Sequence, residues 1–273
     1  YTRYATSDGD GNWTVDYANP GPREDEQDTL DLQPGNDGWA AQVDDDGDQT
    51  RIDWRIANPW IEANPIDNWV HARDWPDGAE LALTIDDPST STESDKTVTA
   101  VVGPASWNPN EIVAEFNLDG FDLQPDFILE VTDGTTARTM TVANLAVTGF
   151  DLDNDTITGT GDPDQEVQVC VNGPDRCYTR YATSDGDGNW TVDYAHAGPR
   201  EDEYDLVDLQ PGSEGWAAEN DSNGNRTMVD WRIANPWIEA NPIDNWVQAR
   251  DWPDGAELAL TIDDPSKIGR AHV

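Results

Sequence analysis

Residues 178–266 repeat residues 1–89 at a fixed offset of 177, with 16 substitutions over 89 aligned positions and no gap. Both copies carry YTRYATSDGDGNWTVDYA and DWRIANPWIEANPIDNWV, and both close on WPDGAELALTIDDPS. A fixed period on this scale is the mark of tandem modules, each a self-contained packing unit. A chain of 273 residues has the length of one large domain or of several small ones. The repeat decides for several.

Within the period, apolar residues recur at every second position. Trp13, Val15 and Tyr17 alternate with polar residues, as do Leu81, Leu83 and Ile85. Runs of Gly, Asp, Asn and Pro separate these segments, and no window combines a helical period with caps. Short alternating runs with frequent turn signals predict an all-β fold of sandwich type. The Ser-Asp-Gly-Asp-Gly-Asn run between Tyr1–Thr6 and Trp13–Tyr17 predicts a β-hairpin. The period itself divides. Asp122-Leu123-Gln124-Pro125 falls between the same four letters at 31–34 and 208–211, and Arg138-Thr139-Met140 anticipates Arg226-Thr227-Met228 by 88 positions. Two diverged units of one plan therefore fill each period, each close to the length of an immunoglobulin-type sandwich. The expected organisation is the C-terminal part of one sandwich over 1–57, complete sandwiches over 58–146 and 147–234, and the N-terminal part of another over 235–266. The last seven residues, Lys267–Val273 (KIGRAHV), abandon the repeat. They read as the in-frame translation of a sequencing adapter, so 267–273 is expected to be an artefact.

The charge balance narrows the partners. There are 56 acidic against 15 basic residues, a net charge of −41. Leaving out Lys267 and Arg270 sets 13 basic residues against 56, a net −43, with Lys96 the one remaining lysine. Such a surface repels nucleic acid and anionic membrane, because phosphate binding needs Lys and Arg. No apolar run reaches the length of a membrane-spanning helix, so no membrane insertion is expected. A lysine-poor acidic surface suits a saline habitat or divalent cations. The 13 Trp and 7 Tyr argue for packed cores rather than disorder.

The stretch Asp155–Tyr194 reads TITGTGDPDQEVQVCVN…YATSDGDGNWTVDYA. It resembles the tandem bacterial immunoglobulin-like (Big-type) repeats of secreted and cell-surface proteins. Gly159, Pro163, Val167, Val169, Asp187, Gly188, Asn189, Trp190 and Val192 carry the resemblance, and Asp164 departs from it where a glycine is usual. The likeness returns at Tyr1–Tyr17 and weakens over 58–146. It implies a β-sandwich, export to the bacterial surface or beyond it, and a spacer or adhesion role without enzymatic activity. Neighbouring repeats, a glycan or a surface protein are the partners it allows.

Candidate chemistry is sparse. Cys170 and Cys177 flank an Asn-Gly-Pro turn, where paired strands bring two sulfurs together. A disulfide is the preferred reading in an exported protein, against two free thiols; zinc would need more Cys or His nearby. Asp8, Asp10 and Asn12, with their copies Asp185, Asp187 and Asn189, resemble the first half of a calcium loop. The distal glutamate and flanking helices of such a loop are missing, and the same letters serve a tight turn. Calcium is the one cofactor this pattern suggests. Trp13, Trp54, Trp190 and Trp231 are expected in the core or half-buried. Trp39 and Trp216, each in Gly-Trp-Ala after a turn, are candidates for stacking on a sugar face. Catalysis has little to stand on: His71 and His196 become Gln248 and Asn19 in the other copy. No phosphate loop, nucleophile elbow or zinc motif occurs.

Overall fold

The computed structural model describes residues 1–92, 94–253 and 255–263, so Lys267–Val273 lies outside the described residues. The protein is almost entirely β. Its described residues gather into two compact units, one of Tyr1–Asn144 with Asn220–Met228, the other of Leu145–Glu219 with the described residues from Val229 onward.

The first unit opens with a hairpin, β1 (Asp37–Val43) and β2 (Gln49–Arg55). A sandwich follows, built from β3 (Trp60–Asn64), β4 (Trp69–Arg73), β5 (Glu80–Asp86), β6 (Lys96–Val101), β7 (Gly103–Pro104), β8 (Ile112–Phe116), β9 (Ile128–Thr132) and β10 (Ala137–Thr141). One sheet runs β3-β4-β8-β7 and the other β10-β9-β5-β6. The alternation read from sequence faces inward here. Leu81, Leu83 and Ile85 of β5 share one buried cluster with Ile61, Val70 and Ala72 of the opposite sheet and with Leu123 and Trp75. Each fully buried side chain of this size contributes about 1.5–3 kcal/mol of transfer free energy.

The second unit repeats the plan with β11 (Ala146–Asp151), β12 (Thr156–Thr160), β13 (Glu166–Asn172), β14 (Cys177–Thr183), β15 (Asn189–Asp193), β16 (Glu214–Asn220) and β17 (Arg226–Arg232). Its sheets run β11-β12-β15 and β14-β13-β16-β17. Seven of the eight strands of the first sandwich have a counterpart in the second, from β3–β4 on β11–β12 to β9–β10 on β16–β17; the two-residue β7 has none. The correspondence extends to single hydrogen bonds. Asn68 (φ 60°) accepts the Leu123 amide at 2.8 Å, and Asp155 (φ 51°) accepts the Leu209 amide at 2.8 Å. The half-period seen in the Asp-Leu-Gln-Pro spacing is thus a repeat of structure. Gly159 of β12 shows why glycine is needed at one position of the resemblance. A Cβ there would stand 2.0 Å from the Trp190 ring and 2.2 Å from the Ala146 carbonyl.

Two expectations need correction. The SDGDGN run does not close a hairpin. β14 pairs with β13 and β15 with β12, so Asp185–Gly188 is an arch between opposing sheets. Period-two alternation shows that a segment is a strand, and leaves its pairing partner open. The second correction is Trp13. Trp190 is 2% exposed, whereas Trp13, in the identical sequence, is 49% exposed. Residues 1–18 form no strand, although their copy supplies β14 and β15. The counterparts of β12 and β13, on which those strands pair, would lie 177 positions earlier and outside this sequence.

The chain beyond β17 behaves alike. β18 (Trp237–Asn241) and β19 (Trp246–Arg250) pair as β3 and β4 do, yet Ile238 is 61% exposed where Ile61 is fully buried. Residues 257–263 match β5 in sequence and form no strand.

Candidate functional surfaces

The acidic arch is held by its own backbone. The Asp185 carboxylate accepts amide hydrogen bonds from Asn189 (2.8 Å) and Asp187 (3.0 Å), and these donors hold its pKa below the usual carboxylate range. Asp8 accepts the Asp10 and Asn12 amides in the same way, both at 2.9 Å. Asp10 and Asp187 stay exposed. Among the described residues, no cluster of three or more His, Cys, Asp or Glu is placed to hold a metal ion.

Cys170 and Cys177 are joined in a disulfide with Cα atoms 5.6 Å apart. The bond staples β13 to β14 diagonally, since Cys170 lies opposite Thr179 and Cys177 opposite Asn172. On its other side Cys170 lies opposite Trp216 of β16. Trp216 is half-buried there, on the face opposite to buried Ala217. Its copy Trp39 has no disulfide beside it and is 54% exposed, with the Arg51 guanidinium 5.2 Å from its ring. The two candidate stacking residues are thus both outward-facing, in different surroundings.

A larger aromatic surface escaped the sequence reading. On the outer face of β3 and β4, Trp69 stacks on His71 at 4.3 Å and His71 meets Trp107 at 4.7 Å. The Arg73 guanidinium lies 5.9 Å from Trp107 and 5.6 Å from Trp60, and Arg226 lies 5.6 Å from Trp60 on the same ladder. Buried Glu62 accepts from Arg73 at 2.5 Å and faces Arg226 at 3.7 Å. Burial, reinforced by Arg73, lowers the His71 pKa to about 4, so the ring is neutral at physiological pH. His196, the other candidate base, is exposed and bonded to Asp193 at 2.9 Å. The two histidines occupy unrelated settings and share no constellation of acid, base and nucleophile. Sequence alone showed the outward residues of β4, but not that the loop bearing Trp107 folds back over them.

Two buried carboxylates also escaped notice. Within the polar, Pro-containing stretch 19–28 and its copy, Glu26 and Glu203 are buried in short 3-10 turns. Glu203 accepts the amides of Tyr181 and Arg200, both at 3.0 Å, and Glu26 accepts those of Tyr4 and Arg23. The signal was the unchanged GPREDE of both copies within a stretch where neighbouring letters differ. Glu219 of β16 accepts the Asp162 amide at 3.1 Å in a buried setting, and desolvation pushes its carboxyl up to about 7.

No family model matches the chain, and no curated protein does. Among solved structures, it is similar to a tetra-tandem repeat in the extending region of a large adhesion protein, at 13% identity and a TM-score of 0.25. That alignment covers 86% of this chain and 64% of the other, so the chain spans just under two thirds of that structure. A second similarity is to a 1.5-MDa bacterial ice-binding adhesin, at 18% identity and a TM-score of 0.22, covering 72% of this chain and 73% of the other.

Proposed function

We propose that the chain is a stretch of a spacer or adhesin, exported to the bacterial surface or beyond it, in which tandem sandwiches bear load or display without catalysing a reaction. The observation that carries this reading is the shared strand order of β3–β10 and β11–β17, β7 apart, inside a period that recurs with 16 changes in 89 positions. Repetition at that fidelity multiplies a scaffold, because an active site needs one constellation and these copies exchange His71 for Gln248 and His196 for Asn19. The modules are taken as 58–146 and 147–234, with 1–57 and 235–266 as parts of two more. The acidic surface keeps near-identical modules of separate chains from associating with one another. A glycan is the second reading, favoured by the outward Trp39 and Trp216. It predicts glycan-array binding that is lost on Trp216→Ala.

Small-angle scattering from one, two and three concatenated periods tests the scaffold. Maximum dimension is expected to rise in proportion to the number of periods. A dimension rising only as the cube root of mass means a collapsed assembly and ends the spacer reading.

A further inference from the structure

The tip of the β16–β17 hairpin, Asn220–Met228, belongs to the first unit, and it is seated on the β3–β10 sandwich through the buried polar side chains of Asn225 and Thr227. Arg226 and Thr227 pair in parallel with Glu62 and Ala63 of β3. Asn225, 1% exposed, uses its whole amide. Its Oδ1 accepts the Ile61 amide at 2.9 Å, and its Nδ2 donates to the Thr139 carbonyl at 3.0 Å and to Asp221 at 2.8 Å. Thr227 Oγ1 accepts the Ala143 amide at 2.9 Å. The sandwich end thus offers two amide donors and one carbonyl acceptor, and the tip answers each of them.

The first copy has the same hairpin with a different tip. Asp48-Gln49-Thr50 stands where the second has Asn225-Arg226-Thr227, and the whole tip is exposed. Its turn still forms, with the Asp44 amide donating to the Asp48 carbonyl at 3.0 Å. Asp in place of Asn leaves the hairpin intact and changes what it can bind. A carboxylate accepts the Ile61 amide but has no proton for the Thr139 carbonyl, and it sets a second negative charge against the Asp221 position. Leaving a buried acceptor unpaired and a buried charge uncompensated is disfavoured.

We propose that Asn225-Arg226-Thr227 is a recognition triplet for the end of a β3–β10-type sandwich, with Asn225 as its specificity residue. The Asp48-Gln49-Thr50 tip is refused by the same end at neutral pH and accepted when its carboxyl is protonated. The occupant of the surface is the hairpin tip of another module of this repeat. The charged groups around the Asn225 position are Asp221 on its own turn, Arg226 with Glu62 on β3, and Arg138 on β10, which donates to the Pro59 carbonyl at 2.6 Å.

Hydrogen exchange on the full chain tests this. Asn225→Asp is expected to speed exchange of the Ile61 and Ala143 amides about tenfold or more at pH 7, after correction for the intrinsic rate, and to recover protection near pH 4. The Gly224 amide, inside the turn, should stay protected at both pH values. Asp48→Asn should leave Ile61 and Ala143 unchanged, and Thr227→Val should expose Ala143 at both pH values. Unchanged Ile61 and Ala143 exchange in Asn225→Asp at pH 7 would overturn the proposal. A loss of protection that is equal at pH 4 and pH 7 would overturn it too.

Discussion

Glu219 shows how much one letter of the repeat can carry. Its copy is Gln42, so one module has a titrating group where the other has an amide. The folded-state pKa of about 7 lies above the ordinary value of 4.5, because desolvation outweighs the hydrogen bond from Asp162. The folded state therefore holds the proton more tightly than the unfolded state. Stability from this group is complete below about pH 4.5 and is lost as pH rises through about 7. Glu219→Gln keeps an acceptor for the Asp162 amide and removes the charge. Denaturant unfolding should show the variant more stable at pH 8, by on the order of 1–3 kcal/mol, and near wild type at pH 4. Gly198 carries a steric constraint instead. A Cβ there would stand 2.6 Å from the buried Glu203 side chain, so Gly198→Ala should cost about 1–3 kcal/mol in the same measurement.

At the scale of elements, identical sequence meets different outcomes. The β1–β2 hairpin spans the same positions as β16–β17, and β18–β19 the same as β3–β4, so hairpins form in both copies. Both strands of a hairpin lie within about 20 residues, and closing so short a loop is inexpensive. β15 pairs only with the distant β12, and the hairpin partners of β14 and β5, β13 and β6, have no counterpart among the described residues beside the copies; those copies, at 1–6, 12–16 and 257–263, are not strands. The disulfide acts at this scale, since it ties β14 to β13 across a sequence separation of 7. Replacing Cys170 and Cys177 together by Ser should lower stability by about 2 kcal/mol. The loss should fall on β13 and β14 amides in exchange measurements and leave β3–β10 protected.

For the whole molecule, burial follows from whether a segment has an opposing sheet to pack on. Leu81, Leu83 and Ile85 are buried, while Leu258, Leu260 and Ile262 are exposed, because the latter lack an opposing sheet. Supplying the missing strands should reverse this. Residues 145–177 placed ahead of Tyr1 would offer the counterparts of β11, β12 and β13. Trp13 emission should then shift to the blue, and amides 12–16 should gain about a hundredfold or more in protection. Trp13 remaining in water would mean that the first copy lacks something other than its partner strands.

The class of fold, the two periods and most strands were legible in the sequence, because alternation and turn residues act over a few neighbours. The sequence marked the unchanged GPREDE without showing that its last glutamate is buried. Long-range packing sets the rest: the SDGDGN run arches between sheets, Trp107 covers His71, and Asn225 is seated on Ile61 and Thr139. Each depends on groups far apart in the chain, 164 positions for Asn225 and Ile61. The same limit explains Trp13 and Trp190, whose sequences agree and whose burial does not. Burial is set by what a strand packs against, and the local sequence specifies only the strand.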